Sequence, residues 1–275
     1  MQAAQERTAT DRLRATVEQV TGIKLPAGKD LMIESRLRRR IHELGFDSFG
    51  QYLELLFKGG KLDEELPLII DQLTTNKTDF HREKPHFDFF TEVIVPELAA
   101  RRGGRVRVWS AASSSGEEAW TLAMYLADAA AAYPGLDWVI LGTDISRRVL
   151  AIANRAVYRM ASFAPLPQHM RARYVMEGRG DDAAGRIVPE LRARVRFQRM
   201  NLTHIPYDVD RNLDVIFLRN VLIYFPPDLQ ARVIAAMTDH LRPGGYLFVG
   251  HSESMVVRHR TLRQCAPGVF QKVSD

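Results

Sequence analysis

The spacing of apolar residues divides this chain into a helical N-terminal part and a longer part in which strands and helices alternate. Residues 1 to about 90 carry helical patterns only, and the clearest of them runs from Asp30, the expected N-cap, to Gly45. Four apolar residues would share one face of that helix: Ile33, Leu37, Ile41 and Leu44. The pattern predicts a small bundle of helices.

From Val106 onward, short apolar runs alternate with amphipathic helical segments. Runs of strand length lie at residues 105–109, 137–145, 194–202, 213–219, 244–250 and 268–273. The pattern of residues 225–245 predicts a helix with Pro near its start and Pro-Gly-Gly after its end. Strands that alternate with helices predict a doubly wound, mostly parallel sheet, which binds ligands at the carboxyl ends of its strands.

One interval between two of these strands is too long to be an ordinary loop. It lies between a helix that ends near Arg159 and the strand that begins at Arg194, and it holds the apolar stretches YVMEG, GRIVPEL and ARVRFQRM. Clusters of Gly and Asp separate these stretches, which predicts a small antiparallel β insertion at about residues 160–199. Such an insertion offers an edge strand, and edge strands bind extended peptides by strand addition.

A loop of very small residues follows the first predicted strand. Every residue from Ser110 to Gly116 is Ser, Ala or Gly, and Glu117 and Glu118 then begin a strongly helical run. The loop lacks the G-x-G-x-x-G fingerprint and the Gly-Lys-Ser/Thr sequence of phosphate-binding loops. Small side chains beside a helix N-terminus let a ligand contact the backbone directly, and two carboxylates suit a nucleoside that carries positive charge, such as S-adenosylmethionine. A tight turn that closes on a packed helix is an equal alternative for this stretch taken alone.

An aspartate stands at the tip of the second predicted strand. Asp144 ends this strand, and Ser146 is placed to cap the helix that follows. In nucleotide-binding βαβ units, an acidic residue at this point commonly accepts hydrogen bonds from both ribose hydroxyls. An aspartate in a capping turn is the alternative, and the position directly after a buried strand favours the ribose role.

Three further polar groups precede or follow predicted strands. Asn76, Thr78 and Arg82 lie in a linker directly ahead of the α/β part. The pair Asn201-Leu202 ends a strand and offers an amide and an apolar surface that could flank an adenine ring. Residues Arg219, Asn220 and Tyr224 come just beyond the fourth strand, where the active edge of such a sheet lies.

The composition limits the class of protein further. The 275 residues are 46% hydrophobic, and no apolar run approaches the ~18 residues that a membrane span needs. The polar N-terminus lacks the hydrophobic region of a signal peptide. The single cysteine, Cys265, fits a reducing compartment, and we expect it to be buried rather than catalytic. These features predict a cytoplasmic protein that does not insert into a membrane.

One face of the helix at residues 30–45 is basic. It carries four arginines: Arg36, Arg38, Arg39 and Arg40. A solvated surface explains such a run as well as a docking site for an acidic partner helix or for nucleic acid. The net charge of +5 is compatible with each of these alternatives.

Six segments, spread in family order over about residues 70–255, resemble the CheR family of chemotaxis receptor methyltransferases. They are TTNKTDFHRE, WSAASSSGEE, GTDIS, MNL, RNVLIYF and LRPGGYLFVGHSES. The resemblance implies an α/β fold: a doubly wound, Rossmann-like, S-adenosylmethionine-dependent methyltransferase domain with a small antiparallel β insertion, preceded by an all-α domain. We therefore expect a helical domain at residues 1–75, a linker at 76–90 that contributes to the active site, and a methyltransferase domain at 91–275.

The resemblance also implies a reaction and a set of site residues. The family uses S-adenosylmethionine to methylate glutamate side chains of chemotaxis receptors, which leaves S-adenosylhomocysteine as the product and involves no metal. The residues implied to line the cofactor site are Asn76, Thr78, Arg82, Glu117 or Glu118, Asp144, Asn201, Leu202, Asn220 and Val221. Arg82 and Tyr224 correspond to the residues on the substrate side.

These two residues suit the implied chemistry. A glutamate carboxylate is already ionised at pH 7, so methyl transfer to it needs no general base. It needs close approach and alignment, for which Arg82 could orient the carboxylate and Tyr224 could donate a hydrogen bond to one oxygen. A packed aromatic residue is the alternative for Tyr224.

The expected partner is the cytoplasmic signalling domain of a methyl-accepting chemotaxis receptor. Its acidic methylation helices would meet the four arginines at residues 36–40, and a receptor C-terminal peptide could add a strand to the β insertion. No nucleic acid is expected as a partner.

Two other classes of function stay open at this point. The first is a methyltransferase of the same fold that acts on RNA or on a small molecule, although the Asn/Asp-Pro-Pro-Tyr/Phe signature of amino-group methylases is absent after the fourth strand. The second is a non-catalytic module that binds S-adenosylmethionine, against which the presence of Arg82 and Tyr224 argues. A nicotinamide-dependent oxidoreductase ranks lower, because the phosphate-binding glycines are missing.

Overall fold

Four helices form the N-terminal part of the molecule. The computed structural model describes four stretches of the chain: residues 2–26, 28–101, 105–178 and 183–273. The helices are α1 (Gln2–Thr21), α2 (Asp30–Glu43), α3 (Phe49–Phe57) and α4 (Leu62–Leu73). Their apolar faces share one core, in which Leu13, Leu37 and Tyr52 are fully buried. The all-α region predicted from the helical spacing is confirmed.

Helix α2 follows its predicted pattern except at its start. Three of the four apolar residues are buried and the last is half-buried: Ile33, Leu37 and Ile41, with Leu44. Asp30 is the first helical residue and Lys29 is the N-cap, so the predicted cap is wrong. The carboxylate of Asp30 instead forms an ion pair with Arg14, which connects α2 to α1.

A continuous helical segment covers the sheet next to the bundle. It consists of α5 (Lys84–Phe89), a π-helical turn (Phe90–Ile94) and α6 (Val95–Ala100). Phe87, Phe90 and Ile94 are fully buried in the same core as the main sheet. The chain between α4 and α5 therefore connects the bundle to the sheet.

Seven strands form the main sheet and three form a separate small sheet. In chain order the strands are β1 (Val106–Ala111), β2 (Trp138–Asp144), β3 (Val157–Arg159), β4 (Val175–Glu177), β5 (Ala184–Ile187), β6 (Val195–Arg199), β7 (Leu213–Leu218), β8 (Leu241–Val249), β9 (Leu262–Ala266) and β10 (Val269–Lys272). The remaining helices are α7 (Glu117–Ala132), α8 (Arg147–Arg155), α9 (Gln168–Tyr174), α10 (Pro189–Arg192) and α11 (Pro227–His240), with 3-10 turns at Met160–Phe163, Leu222–Tyr224 and His251–Val256.

The main sheet is largely parallel. Its order is β6-β2-β1-β7-β8-β10-β9, and β1 pairs in parallel with β2 on one side and with β7 on the other. Only β10 runs antiparallel to its neighbours, β8 and β9. The carboxyl ends of β1, β2 and β7 diverge at the point where the strand order reverses, which is where such sheets bind ligands. The predicted doubly wound sheet is confirmed, and the edge strand β9 was not predicted.

The small sheet corrects the predicted extent of the insertion. Its order is β3-β5-β4, all antiparallel, so it begins at Val157 rather than at residue 160. Helix α8 ends at Arg155, because Ala156 adopts a left-handed conformation. The stretch ARVRFQRM does not belong to the insertion: β6 pairs in parallel with β2 at the edge of the main sheet, where Phe197 packs against Trp120. Residues 179–182 of the predicted insertion lie outside the described residues.

Two expectations from composition concern the surface. No helix within the described ranges combines the length and the apolar character needed to cross a bilayer. Cys265 is exposed on β9, so the expectation that it is buried is wrong. Its neighbours Arg263 and Gln264 on this edge strand are exposed as well.

Candidate active site

A cleft opens at the carboxyl ends of the central strands. Most of its lining comes from the end of α1, the linker after α4, and the residues at the carboxyl ends of β1, β2, β6 and β7, and α5 and α7 add Phe87 and Glu118. Of the eleven residues predicted to bind cofactor or to act in catalysis, ten line this cleft: Asn76, Thr78, Arg82, Glu118, Asp144, Asn201, Leu202, Asn220, Val221 and Tyr224. Glu117 is not among the lining residues. The fold therefore brings together side chains that lie up to about 150 residues apart in the sequence.

The small-residue loop after β1 is fixed in place on both sides. The backbone N–H of Ser114 donates to Asp144 Oδ2 (2.9 Å), and the Ser114 hydroxyl donates to the carbonyl of Asn76 (2.8 Å). Gly116 adopts a φ of +96°, and a Cβ there would come within 2.8 Å of Ala153, so the turn into α7 requires glycine. The hydroxyl of Ser113 is buried and has no hydrogen-bond partner among the described residues. The loop thus presents a polar atom that is available to a ligand.

Asp144 ends β2 with its carboxylate on the cleft. Its two oxygens accept backbone N–H groups, Oδ2 from Ser114 and Oδ1 from Ser146, each at 2.9 Å. Burial raises the pKa of the Asp144 carboxyl, and these hydrogen bonds oppose the rise. A carboxylate has about four lone-pair sites, so Asp144 can still accept a hydrogen bond from a ligand hydroxyl. Ser146 caps α8 as predicted, because its hydroxyl accepts the N–H of Val149.

The two glutamates at the start of α7 have different surroundings. Glu118 faces the cleft, accepts the hydroxyl of Ser110 (2.7 Å), and forms an ion pair with Arg219 (3.1 Å). Glu117 points elsewhere, and its carboxylate accepts the hydroxyl of Ser115 (2.7 Å). Burial raises the pKa of both carboxyl groups. The geometry favours Glu118 as the residue in reach of a ligand.

A buried arginine joins the elements beneath the cleft. Arg219 follows β7, and its guanidinium donates to Glu118, to Glu83 (2.9 Å) and to the carbonyl of Arg82 (2.6 Å). Phe87 lies against its guanidinium face, with 5.7 Å between the guanidinium carbon and the ring centroid. Burial alone would raise the pKa of Glu83, but the charge of Arg219 lowers it. The sequence predicted that Arg219 lies at the active edge, but it did not predict these hydrogen bonds. No local pattern pairs Arg219 with acids that lie more than 100 residues away.

A second buried acid, Glu253, fixes the backbone conformation of the residues that follow β7. Glu253 accepts the backbone N–H groups of Asn220 (2.8 Å), Gly250 (2.7 Å) and Ile223 (3.2 Å), and burial raises the pKa of its carboxyl. Asn220 adopts a left-handed conformation with φ of +57° and donates from its side chain to Glu83 (3.2 Å). Glu253 was not predicted from the sequence as a site residue. It holds Asn220 and Val221 at the wall of the cleft.

The two predicted catalytic residues lie on the cleft from different elements. Arg82, in the linker, is half-buried and donates to the carbonyl of Lys77 (2.9 Å). Tyr224 ends the 3-10 turn after β7 and is also half-buried. Its hydroxyl has no hydrogen-bond partner in the described part of the chain, so it is available to a substrate.

The N-terminal bundle contributes to the cleft, which sequence reasoning missed. Thr21 and Ile23, at the end of α1, line it. Asn201 donates from its side chain to the carbonyl of Val20 (2.7 Å), and the N–H of Lys24 donates to the carbonyl of Tyr224 (2.9 Å). Asn201 was expected to face a ligand, and part of its amide instead connects the sheet to α1.

The four arginines of α2 do not form one free surface. Arg38 and Arg39 are exposed, and Arg39 pairs with Glu43 within its own helix (2.9 Å). Arg36 donates to the carbonyl of Leu73 (2.6 Å). Arg40 donates two hydrogen bonds to Glu65, at 2.9 and 2.6 Å, and the hydroxyl of Tyr52 donates to the same carboxylate.

This arrangement corrects the expectation that all four arginines are free to meet a partner. Arg36 and Arg40 bind groups that the fold of α4 places against α2. The paired Arg40 lowers the pKa of the Glu65 carboxyl.

One group of side chains in the described part of the chain has the geometry of a metal site. Potential ligand atoms of Glu83, His86 and His251 lie within 4.8 Å of one another. Glu83 already accepts a hydrogen bond from the guanidinium of Arg219, which places a positive charge beside it. That charge opposes the binding of a cation. The expectation of a reaction without metal is not tested by this geometry and stays a prediction.

Two family models match the chain over most of its length. Residues 76–269 match the model described as CheR methyltransferase, SAM binding domain. Residues 9–74 match the model described as CheR methyltransferase, all-alpha domain.

Curated relatives are similar over nearly the whole chain. The chemotaxis protein methyltransferase of Salmonella typhimurium is 40% identical over 255 residues, which cover 92% of this chain and 86% of the relative. The protein of the same name from Escherichia coli is 39% identical, covering 92% and 87%. Chemotaxis protein methyltransferase 2 of Pseudomonas aeruginosa is 34% identical over 261 residues, covering 94% and 91%.

Proposed function

The chain belongs to the CheR family of S-adenosylmethionine-binding methyltransferases, and on that premise we propose that it methylates glutamate side chains of chemotaxis receptors. The product on the receptor would be a glutamate methyl ester. The observation that carries the proposal is the cleft itself, because Asp144, Arg82 and Tyr224 line one continuous opening. A site for a nucleoside cofactor and a site for a carboxylate are thereby joined. The protein would act in the cytoplasm on the cytoplasmic signalling domain of these receptors.

The residues of the cleft fit S-adenosylmethionine. We assign Asp144 to the ribose hydroxyls, because its oxygens keep free lone pairs, and Leu202 with the remaining amide hydrogen of Asn201 to the adenine. The unpartnered hydroxyl of Ser113 and the carboxylate of Glu118 would meet the polar part of the ligand. Asn76, Thr78, Asn220 and Val221 complete the walls, and Glu117 has no role in this assignment.

Methyl transfer to a carboxylate requires little from the protein beyond alignment of the two reactants. When bound, S-adenosylmethionine supplies a methyl group on a sulfonium, which is a good leaving group. The glutamate carboxylate is ionised at pH 7 and needs no base. Arg82 would bind and orient it, and the Tyr224 hydroxyl would donate a hydrogen bond to the oxygen that does not react. Displacement of water from the carboxylate when the receptor covers the cleft would keep the attacking oxygen reactive.

Recognition of the receptor would use surfaces outside the cleft. Receptor methylation helices are acidic, and the exposed Arg38 and Arg39 of α2 offer charges that speed encounter with them. The small sheet has β3 and β4 as its edges, and a receptor C-terminal peptide could pair with one of them. Linked binding of this kind raises the local concentration of the methylation sites.

The test of the function is transfer of labelled methyl from S-adenosylmethionine to a soluble cytoplasmic fragment of a chemotaxis receptor. We expect label in the receptor that mild base releases as methanol, as from a methyl ester. Base-stable label, or label only in added RNA, would contradict the proposal.

Two variants probe the assigned roles. Arg82→Ala and Tyr224→Phe should lose turnover while S-adenosylhomocysteine still binds within a few-fold, since both residues act on the substrate side. Normal turnover of both variants at saturating receptor would remove them from catalysis.

A further inference from the structure

Two adjoining short turns lie next to the cleft, and we call them the Tyr224 lip, because Tyr224 in the first turn is the residue of the two that lines the cleft. It consists of the turns Leu222–Tyr224 and His251–Val256. Glu253, which is 1% exposed, lies in the second turn and accepts the N–H of Ile223 in the first. Its carboxylate also accepts the N–H groups of Gly250 and Asn220. One buried carboxylate thus holds both turns together beside Tyr224.

The outer surface of the Tyr224 lip is apolar. Ile223 is 53% exposed, Met255 79% and Val256 36%. Their sequence neighbours Leu222 and Val257 are buried in the core. Some apolar residues of this region therefore stabilise the fold, whereas Ile223, Met255 and Val256 face solvent. Three of the eleven exposed large hydrophobic residues among the described positions therefore lie on two adjoining turns. Exposed apolar residues are ordinary when they are scattered, and a group beside a functional cleft marks a binding surface.

The segment that directly follows the second turn is basic. Arg258 and Arg260 follow the second turn, and both are exposed. Neither has an ion-pair partner among the residues that the structure describes. The acid of this segment, Glu253, is buried and its oxygens are occupied by backbone N–H groups. An acidic partner that approached the lip would therefore meet unpaired positive charge.

We propose that the Tyr224 lip docks the receptor helix that carries the methylated glutamate. The helix would pack apolar side chains on Ile223, Met255 and Val256 and place acidic side chains near Arg258 and Arg260. The inference rests on the proposed function and deepens it, because it assigns the surface that aligns the substrate at the cleft. A glutamate that reaches Tyr224 brings the residues three and four positions away on the same helical face to the neighbouring lip.

This surface differs from the two contacts proposed above. Arg38 and Arg39 belong to α2, and the strand edges belong to the small sheet, whereas the lip is part of the wall that carries Tyr224. Contacts on the lip therefore affect how the glutamate is held in the cleft. Their loss should appear in the KM for the receptor, while binding of S-adenosylhomocysteine is kept.

The test compares Met255→Glu with Met255→Lys and with a control, Tyr133→Glu. Met255→Glu replaces an apolar contact with a negative charge that faces an acidic helix, and Met255→Lys removes the same contact but keeps the favourable sign. Tyr133 is also an exposed hydrophobic residue (40%), at the end of α7 that is remote from the cleft. The probe is the soluble cytoplasmic receptor fragment, with KM and kcat measured for methyl transfer and S-adenosylhomocysteine affinity measured by calorimetry.

We expect Met255→Glu to raise the KM for the receptor about tenfold, the effect of losing one well-placed interface contact. Met255→Lys should raise it less, and Tyr133→Glu should match the wild-type protein. A KM for Met255→Glu within twofold of the control, with wild-type methylation intact, would overturn the docking inference alone. Absence of methyl transfer by the wild-type protein would overturn the proposed function and the docking inference with it.

Discussion

Two opposing effects act on the pKa of the Asp144 carboxyl. Its burial raises the pKa of the carboxyl, and two backbone N–H groups stabilise the ionised form. These N–H groups also fix the carboxylate at the tip of β2, so a ligand finds an acceptor that is already oriented. Preorganised polar groups bind more tightly because little conformational freedom is lost on binding.

The first prediction concerns this carboxylate. Asp144→Ala should weaken S-adenosylhomocysteine binding by about 1.5–3 kcal/mol, the value of hydrogen bonds to a charged group. Asp239→Ala, which removes an exposed aspartate from α11, is the matched control and should bind as the wild-type protein does. Calorimetry with the purified variants decides the matter, and equal affinities for both would show that Asp144 does not hold the ribose.

His86 makes stability depend on pH. Burial, together with the nearby charge of Arg219, lowers its pKa from 6.5 to about 4. The folded protein therefore binds this proton less readily than the unfolded chain does. Between these two pKa values the unfolded state holds more protons, so the free energy of unfolding falls as the pH falls from 6.5 towards 4.

The second prediction is the size and origin of that loss. His86 should account for about 2–3 kcal/mol of destabilisation over this range. Urea denaturation at several pH values should therefore give a flatter dependence for His86→Gln than for the wild-type protein. His42→Gln, which changes an exposed histidine, should leave the dependence as it was. A wild-type slope in His86→Gln would assign the acid sensitivity to other groups.

At the scale of elements, helix α2 carries arginines with two different tasks. Arg40 and Tyr52 satisfy the buried carboxylate of Glu65, while Arg38 and Arg39 extend into solvent. Because removing one partner of a largely buried ion pair leaves the other charge uncompensated, these positions should respond differently to substitution.

The third prediction separates those tasks. Arg40→Ala should lower the free energy of unfolding by about 2 kcal/mol, since Glu65 loses its charged partner. The double variant Arg38→Glu with Arg39→Glu should keep its stability within roughly 0.5 kcal/mol per site, as is usual for exposed positions. If these two arginines guide an acidic helix, the double variant should also show a raised KM for the receptor fragment and less dependence of methylation on salt. A stable double variant with an unchanged KM and salt dependence would exclude α2 from receptor binding.

The same elements show what the sequence can and cannot predict. The strands, the small-residue loop and Asp144 follow from local patterns, and the geometry of a parallel sheet then gathers their carboxyl ends at one cleft. The strand at Val195–Arg199 was predicted, but its stretch was also counted in the insertion, because a short edge strand with polar residues resembles part of a small antiparallel sheet. Pairings such as Arg219 with Glu83, or Arg36 with the Leu73 carbonyl, leave no periodic signal, since they depend on how separate elements pack.

At the scale of the whole molecule, the helical bundle and the sheet share the cleft. The end of α1 supplies Thr21 and Ile23 to its lining, and the following segment contacts the catalytic part through Lys24 and Tyr224. Gly22 lies at the centre of this junction with a φ of +70°. A Cβ at this position would come within 2.3 Å of Leu229 and 3.0 Å of Thr203, so the close approach of the two parts requires glycine.

The last prediction tests whether this junction shapes the cofactor site. Gly22→Ala should lose about 1 kcal/mol from its left-handed backbone, and it should also displace Thr21 and Ile23 from the cleft, which weakens S-adenosylhomocysteine binding by roughly tenfold. Gly45→Ala is a close control, because Gly45 has a φ of +77° with no atom within 4 Å of an added Cβ. It should show the backbone penalty in denaturation and keep the product affinity of the wild-type protein. Equal product affinities in the two variants would mean that the bundle closes the cleft without contributing to binding. A loss confined to Gly22→Ala would mean that cofactor affinity depends on the packing of the N-terminal bundle as well as on the sheet.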